Sequence, residues 1–134
     1  MNVSLPRRLI VPVLLGPLLL SGCGGAKDNG AKAAYLKRAE AICTTANTEQ
    51  KALKAPTAVG ELAPYVAKVV AVADRAYTAL DALDPPAGDK AELGTKVLGP
   101  LKAQVDRGHL YAAEVAAAAK KKDQAELLRL LGNP

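Results

Sequence analysis

An unbroken repeat of apolar residues in the middle of the chain limits what it can fold into. The repeat spans positions 62 to 83, and its members are Leu62, Val66, Val69, Ala73, Ala76, Leu80 and Leu83. Alternating spacings of four and three bring all seven side chains to one face of an α-helix. Three heptads of this pattern predict a long helix that packs against neighbouring helices.

Two flanking segments have the same spacing of apolar residues. The first contains Leu36, Ala39, Cys43, Ala46 and Leu53, and the second contains Leu98, Leu101, Val105, Gly108, Ala112, Val115 and Ala119. Pro56 and Asp84-Pro85-Pro86 separate the three segments, and connections this short make successive helices antiparallel neighbours. No run alternates apolar and polar residues as a half-buried strand does. The sequence therefore predicts an all-α fold, an antiparallel bundle of three long helices.

Local signals refine the helix ends. Thr57 is expected to cap the second helix. The pair Gly99-Pro100 predicts a kink or a break in the third helix, because proline lacks an amide hydrogen and its ring crowds the carbonyl of Lys96. Asp123 and Glu126 have the spacing of a capping box, which predicts a short last helix ending at Gly132.

The amino terminus is typical of an export signal. Arg7 and Arg8 lie in a leading segment without acidic residues, and the twelve residues 9–20 (LIVPVLLGPLLL) carry no charged or polar side chain. A basic start followed by such a stretch is the pattern of a secretory signal peptide. The stretch is shorter than the roughly 20 apolar residues of a membrane-spanning helix. The arginine pair is compatible with twin-arginine export as well as with the general secretory route.

The four residues that end this segment resemble the lipobox of bacterial lipoproteins. Leu20, Ser21, Gly22 and Cys23 place one apolar and two small residues before a cysteine. The resemblance implies a cut between Gly22 and Cys23 and a diacylglyceryl group on the Cys23 sulfur. Two acyl chains hold a protein stably on a membrane, whereas one binds reversibly. The alternative is ordinary secretion, with a cut near the small residues 24–26.

The predicted organisation follows from this cut. Residues 1–22 are a lipoprotein signal peptide, residues 23–30 are the lipidated cysteine and a flexible glycine-rich tether, and residues 31–134 are the helical bundle domain. The 112 residues left after the cut suffice for one domain. The expected location is the extracytoplasmic face of the cell membrane, held there through diacylglyceryl-Cys23.

The balance of charged residues bears on which partners the protein could bind. Two of the 18 Lys and Arg precede the cut, which leaves 16 against 13 acidic residues of interspersed sign. Nucleic-acid binding is therefore not expected, since it needs a clustered basic face. The triplet Lys120–Lys122 is the one local concentration. It fits either favourable charge at the carboxyl end of a helix or a contact with anionic lipid headgroups.

The sequence contains few side chains that could bind a metal or act in catalysis. His109 is the only histidine, and no serine follows Cys23. A zinc site lacks its ligands and a serine nucleophile is excluded, so we expect no metal, no cofactor and no catalysis. If Cys23 carries lipid, Cys43 is the last thiol and no internal disulfide forms. Cys43 is then either a small core residue or a thiol that pairs with another chain.

The first predicted helix also resembles a family. Residues 34–43 (AYLKRAEAIC), continuing through Ala46-Asn47, and the junction from Leu80 to Pro86 are similar to small actinobacterial lipoproteins and secreted proteins of unknown function. The similarity spans most of residues 31–132 and implies no activity. Many such proteins carry a second cysteine near the carboxyl terminus that pairs with the first-helix cysteine. This chain lacks it, so the implied disulfide does not carry over to Cys43.

Two functions are compatible with these features. The first is a non-enzymatic, lipid-anchored envelope protein whose bundle binds or spaces an envelope partner. The alternative is a carrier that holds a small apolar ligand inside the bundle. A cavity lined by Val66, Val69, Leu101 and Val105 is the structural feature expected of the carrier.

Overall fold

The fold is all-helical throughout the part of the chain that the computed structural model describes, residues 29–132. Its helices are α1 (Asn29–Ala52), α2 (Leu62–Asp81), α3 (Lys90–Leu93), α4 (Gly99–Lys120) and α5 (Gln124–Gly132). A 3₁₀ turn, Val59–Glu61, precedes α2, and a π-helical turn, Gly94–Leu98, joins α3 to α4. The all-α prediction is thus confirmed for these residues. Helix α1 begins two residues before the predicted boundary of the domain.

Helix α2 is the central element, since it packs against both α1 and α4, while α5 packs against α4. Lys32 near the start of α1 lies 3.4 Å from Asp89, which directly precedes α3. The beginning of α1 is therefore close to the segment that follows α2. At the other end of the molecule, residues near the end of α4 share one core cluster with the first residues of α2. None of the described helices combines the length and the apolar character needed to cross a membrane.

The core lies among α2, α4 and α5. Its buried members are Leu62, Val66, Val70, Val115, Ala118, Leu127 and Leu130. Burying a valine or leucine side chain stabilises the fold by about 1.5–3 kcal/mol. Helix α1 contributes no side chain to this cluster and packs on α2 through half-buried residues. The core is therefore concentrated at the end of the molecule farthest from the start of α1.

The predicted stripe of α2 is only partly buried. Leu62, Val66 and Leu80 are buried as expected, but Ala73 is exposed. Val70 and Val72, which the stripe omits, are buried instead. The physical reason is that α2 has neighbours on two sides. Val70 lies against Gly108 of α4, and Val72 lines the contact with α1.

The interruption predicted at Gly99-Pro100 takes the form of a wider helical turn. The Gly99 amide donates to the Gly94 carbonyl, five residues back, and backbone angles stay helical on both sides. Pro100 has no amide to offer Lys96, and its ring would crowd that carbonyl in a regular α-helix. A π-helical turn just before the proline accommodates it. The helix is therefore widened rather than broken.

The predicted caps have mixed outcomes. Thr57 does not cap α2 with its oxygen, because its hydroxyl donates to Glu61 at 3.0 Å and its amide donates to the same carboxylate at 2.8 Å. These hydrogen bonds hold the pKa of Glu61 below its usual value. Asp123 does cap α5, since it accepts the Glu126 amide at 3.0 Å. The Glu126 carboxylate pairs with Arg129 instead of returning to the Asp123 amide.

Candidate functional site

The predicted lipidation site lies outside the described residues. Leu20, Ser21, Gly22 and Cys23 all precede Asn29, where the structure begins. Helix α1 starts six positions after Cys23. Six residues reach at most about 20 Å, so a lipid on Cys23 would keep the start of α1 close to the membrane.

A groove of about 300 Å³ lies between α1 and α2. Its lining is mainly alanine and aliphatic, with three polar side chains: Ala41, Ile42, Thr45, Ala46 and Glu49 from α1, and Val72, Arg75, Ala76 and Ala79 from α2. Small side chains leave space between the helices that leucine side chains would fill. A volume of this size is at the lower limit of small-molecule pockets.

An ion pair links the two helices at the groove. Arg75 of α2 donates to the Glu49 carboxylate of α1 over 2.5 Å. Both side chains are substantially exposed, so the pair contributes about 0–1 kcal/mol to stability. Because the two residues are 26 positions apart, no local spacing in the sequence indicated this contact.

The groove is not the cavity that the carrier hypothesis predicted. None of Val66, Val69, Leu101 and Val105 lines it. Val66 and Val105 are buried, and Val66 belongs to the packed core. The alanines in the α1 and α2 stripes predict close helix packing, and nothing in the sequence indicates that the contact between these helices leaves a groove.

Cys43 is a free, half-buried thiol on α1. It does not line the groove. Burial raises the pKa of this thiol, so less of it is thiolate at neutral pH and its reactivity is lower. Cys43 is therefore only half-buried rather than a fully buried core residue, and its pairing with another chain stays a prediction.

His109 is an exposed residue of α4 whose ring lies 3.4 Å from Asp74 of α2. Both side chains are about half exposed. Earlier on α4, Lys102 pairs with Asp106 at 2.7 Å, four residues along the same helix. Only the contact between His109 and Asp74 joins α4 to α2 here. Among residues 29–132 no group of three or more His, Cys, Asp or Glu side chains is arranged to hold a metal ion.

The lysine triplet is exposed at the carboxyl end of α4. Lys122 has a left-handed backbone with φ of 56°. Its amide donates to Ala119, and the amide of Asp123 donates to Ala118. These two bonds form a Schellman motif, in which the left-handed position is usually glycine.

Comparison with known proteins adds no relative to this description. No protein-family model matches the chain, and no match is found among curated proteins or solved structures.

Proposed function

We propose that this protein is a lipid-anchored, extracytoplasmic protein of the bacterial envelope, whose helical bundle binds or spaces a partner without catalysing a reaction. The observation that carries the proposal is the order of features at the amino terminus. Two arginines precede twelve uncharged, mainly aliphatic residues, and these lead directly into Leu20-Ser21-Gly22-Cys23. Each feature is common alone, but a lipoprotein signal requires all three in this order.

The domain is compatible with a role as a spacer. Helix α1 is 24 residues long, which corresponds to about 36 Å along its axis. With its start beside the tether and its axis along the membrane normal, the opposite end of the helix would lie that far from the membrane.

The proposal assigns no catalysis, metal or cofactor to the domain. His109 and Asp74 form a half-exposed surface pair, and no serine is present after Cys23. The buried interior of the described residues is apolar, without a buried polar or charged side chain. A partner would therefore be recognised on the surface of the bundle.

The anchor is tested by replacing each cysteine separately in the full chain. Protein expressed in an actinobacterial host with an alkyne-labelled fatty acid should carry the label, and Cys23→Ala should lose it and accumulate uncut. Cys43→Ala is the matched control and should keep both label and cleavage. Label retained by Cys23→Ala, or normal cleavage and membrane association of that variant, would show that Cys23 is not the anchor.

A second candidate function is the apolar carrier, and the groove between α1 and α2 is the observation that favours it. Its walls are mostly alanine and aliphatic side chains, and its volume of about 300 Å³ admits a small ligand. If a ligand occupied the groove, the ion pair of Glu49 with Arg75 would lie at its edge.

Filling the groove tests the carrier. Ala76→Leu adds a large side chain to the groove lining, whereas Ala73→Leu adds it to an exposed position one turn away on the same helix. Titration with the uncharged dye Nile red should show binding to the wild type and to Ala73→Leu. Binding to Ala76→Leu should fall about fivefold or more, as expected when apolar contacts worth about 1 kcal/mol are lost. Equal binding by all three proteins would remove the carrier from consideration.

A further inference from the structure

Five exposed lysines lie where α1 and α4 end, which is the same end of the molecule. Lys120, Lys121 and Lys122 are exposed at the end of α4, and Lys51 and Lys54 are exposed at the end of α1 and just after it. The six residues 53–58 join α1 to the 3₁₀ turn, and Val59 in that turn packs on the core cluster that includes Ala118 of α4. We call these five residues the lysine end.

The acidic side chains nearby are engaged in other contacts. Glu61 accepts hydrogen bonds from the Thr57 amide and hydroxyl. Asp123 accepts the Glu126 amide, and Glu126 pairs with Arg129. None of the five lysines forms an ion pair with a described residue. The five ammonium groups are therefore exposed and in no direct ion pair with a described residue, although Glu61 and Asp123 keep their negative charges.

The backbone at Lys122 adds a separate observation. A non-glycine residue in the left-handed region costs roughly 1–2 kcal/mol, and glycine would fill this position of the Schellman motif without that cost. A lysine with φ of 56° thus occupies a position where its side chain gives the fold no evident advantage. Residues held in such conformations are often retained for function.

We propose that the lysine end binds a linear polyanion that carries phosphate groups. Lysine ammonium groups act as compact point charges and bind phosphate without the planar geometry that arginine imposes. Five of them spread over one end of the bundle, rather than gathered in a pocket, suit a polymer with repeated charges.

The geometry favours a polymer over the protein's own membrane. The lysine end is opposite the start of α1, because α4 ends beside the first residues of α2 while α1 starts near Asp89. This step rests on the proposed function, since lipid on Cys23 is what would hold the start of α1 at the membrane. With α1 along the membrane normal, the lysine end would lie about 36 Å from the start of α1, several Debye lengths from that bilayer at physiological salt.

The test uses the full chain, processed and purified in neutral detergent, with fluorescein-labelled inorganic polyphosphate as the probe. Anisotropy titrations over a series of NaCl concentrations should show binding that weakens with salt. Replacing Lys120, Lys121 and Lys122 together with glutamine should lower affinity about tenfold or more. It should also reduce the slope of log affinity against log salt by about 2, since each charge lost from a single-stranded polyanion contributes roughly 0.7.

The matched control replaces Lys37, Arg38 and Lys90 with glutamine. These exposed residues are outside the lysine end and in no ion pair with a described residue, and their loss changes net charge equally. Control affinity should fall less than about threefold, because distant charges are screened. An equal loss in both triple variants, or no binding by the wild type, would overturn the proposal.

Experiments with vesicles test polymer binding by the lysine end separately from lipid anchoring through Cys23. Protein reconstituted into phosphatidylcholine vesicles is mixed with polyphosphate or with a second population rich in phosphatidylglycerol. Co-flotation of the protein with phosphatidylcholine reports the anchor alone, whereas anisotropy reports polymer binding with or without lipid. Tighter triplet-dependent binding to phosphatidylglycerol than to polyphosphate would identify a membrane as the partner and overturn the polymer assignment.

Discussion

At the scale of single residues, the described chain has one non-glycine position with a positive φ, and it is Lys122. Lysine pays a steric penalty in this region because its Cβ approaches the following carbonyl oxygen. Glycine has no Cβ and is the usual residue at this point of a Schellman motif. The sequence does not predict this backbone strain, because Lys122 is simply the last of three lysines whose charge is favourable at the carboxyl end of a helix.

Lys122→Gly should therefore stabilise the fold. We expect a gain of about 1 kcal/mol in the free energy of unfolding, measured by urea denaturation followed by circular dichroism. Lys121→Gly is the control, because Lys121 has a right-handed backbone with φ of −79° and gains nothing from glycine. If Lys122→Gly is no more stable than the wild type, the left-handed strain is absent.

At the scale of helices, the number of long helices and the burial of Val105 and Val115 follow from apolar spacings of three and four. The short α5 follows instead from the capping-box spacing of Asp123 and Glu126 and from Gly132. The burial of Val70 and Val72 did not follow, because which flank of α2 is covered depends on where α1 and α4 pack. The groove was missed for the same reason, since it arises between two segments distant in sequence.

The π-helical turn allows a sharper test at this scale. A Cβ at Gly94 would meet nothing within 4 Å, whereas one at Gly99 would lie 3.1 Å from the Gly94 carbonyl oxygen. Gly94→Ala should stabilise by about 0.5–1 kcal/mol through reduced backbone entropy of the unfolded chain. Gly99→Ala should gain less than Gly94→Ala or destabilise, because a backbone oxygen must move. Thermal unfolding of both variants decides this, and equal gains would contradict the close approach.

At the scale of the whole molecule, the chain combines a predicted lipid attachment at one end of α1 with a basic opposite end. Acidic residues are frequent near the other end of α2, at Asp81, Asp84 and Asp89. The sequence predicted the anchor and the lysines, but only the packing of α4 beside the start of α2 showed that the lysines lie far from the start of α1.

Mass spectrometry of the mature amino terminus would show whether Cys23 carries lipid. Protein extracted from the envelope of an actinobacterial host should yield an amino-terminal peptide that begins at Cys23 and carries the mass of a diacylglyceryl group. A mature terminus that begins elsewhere, or a Cys23 thiol without lipid, would show that Cys23 does not anchor the protein.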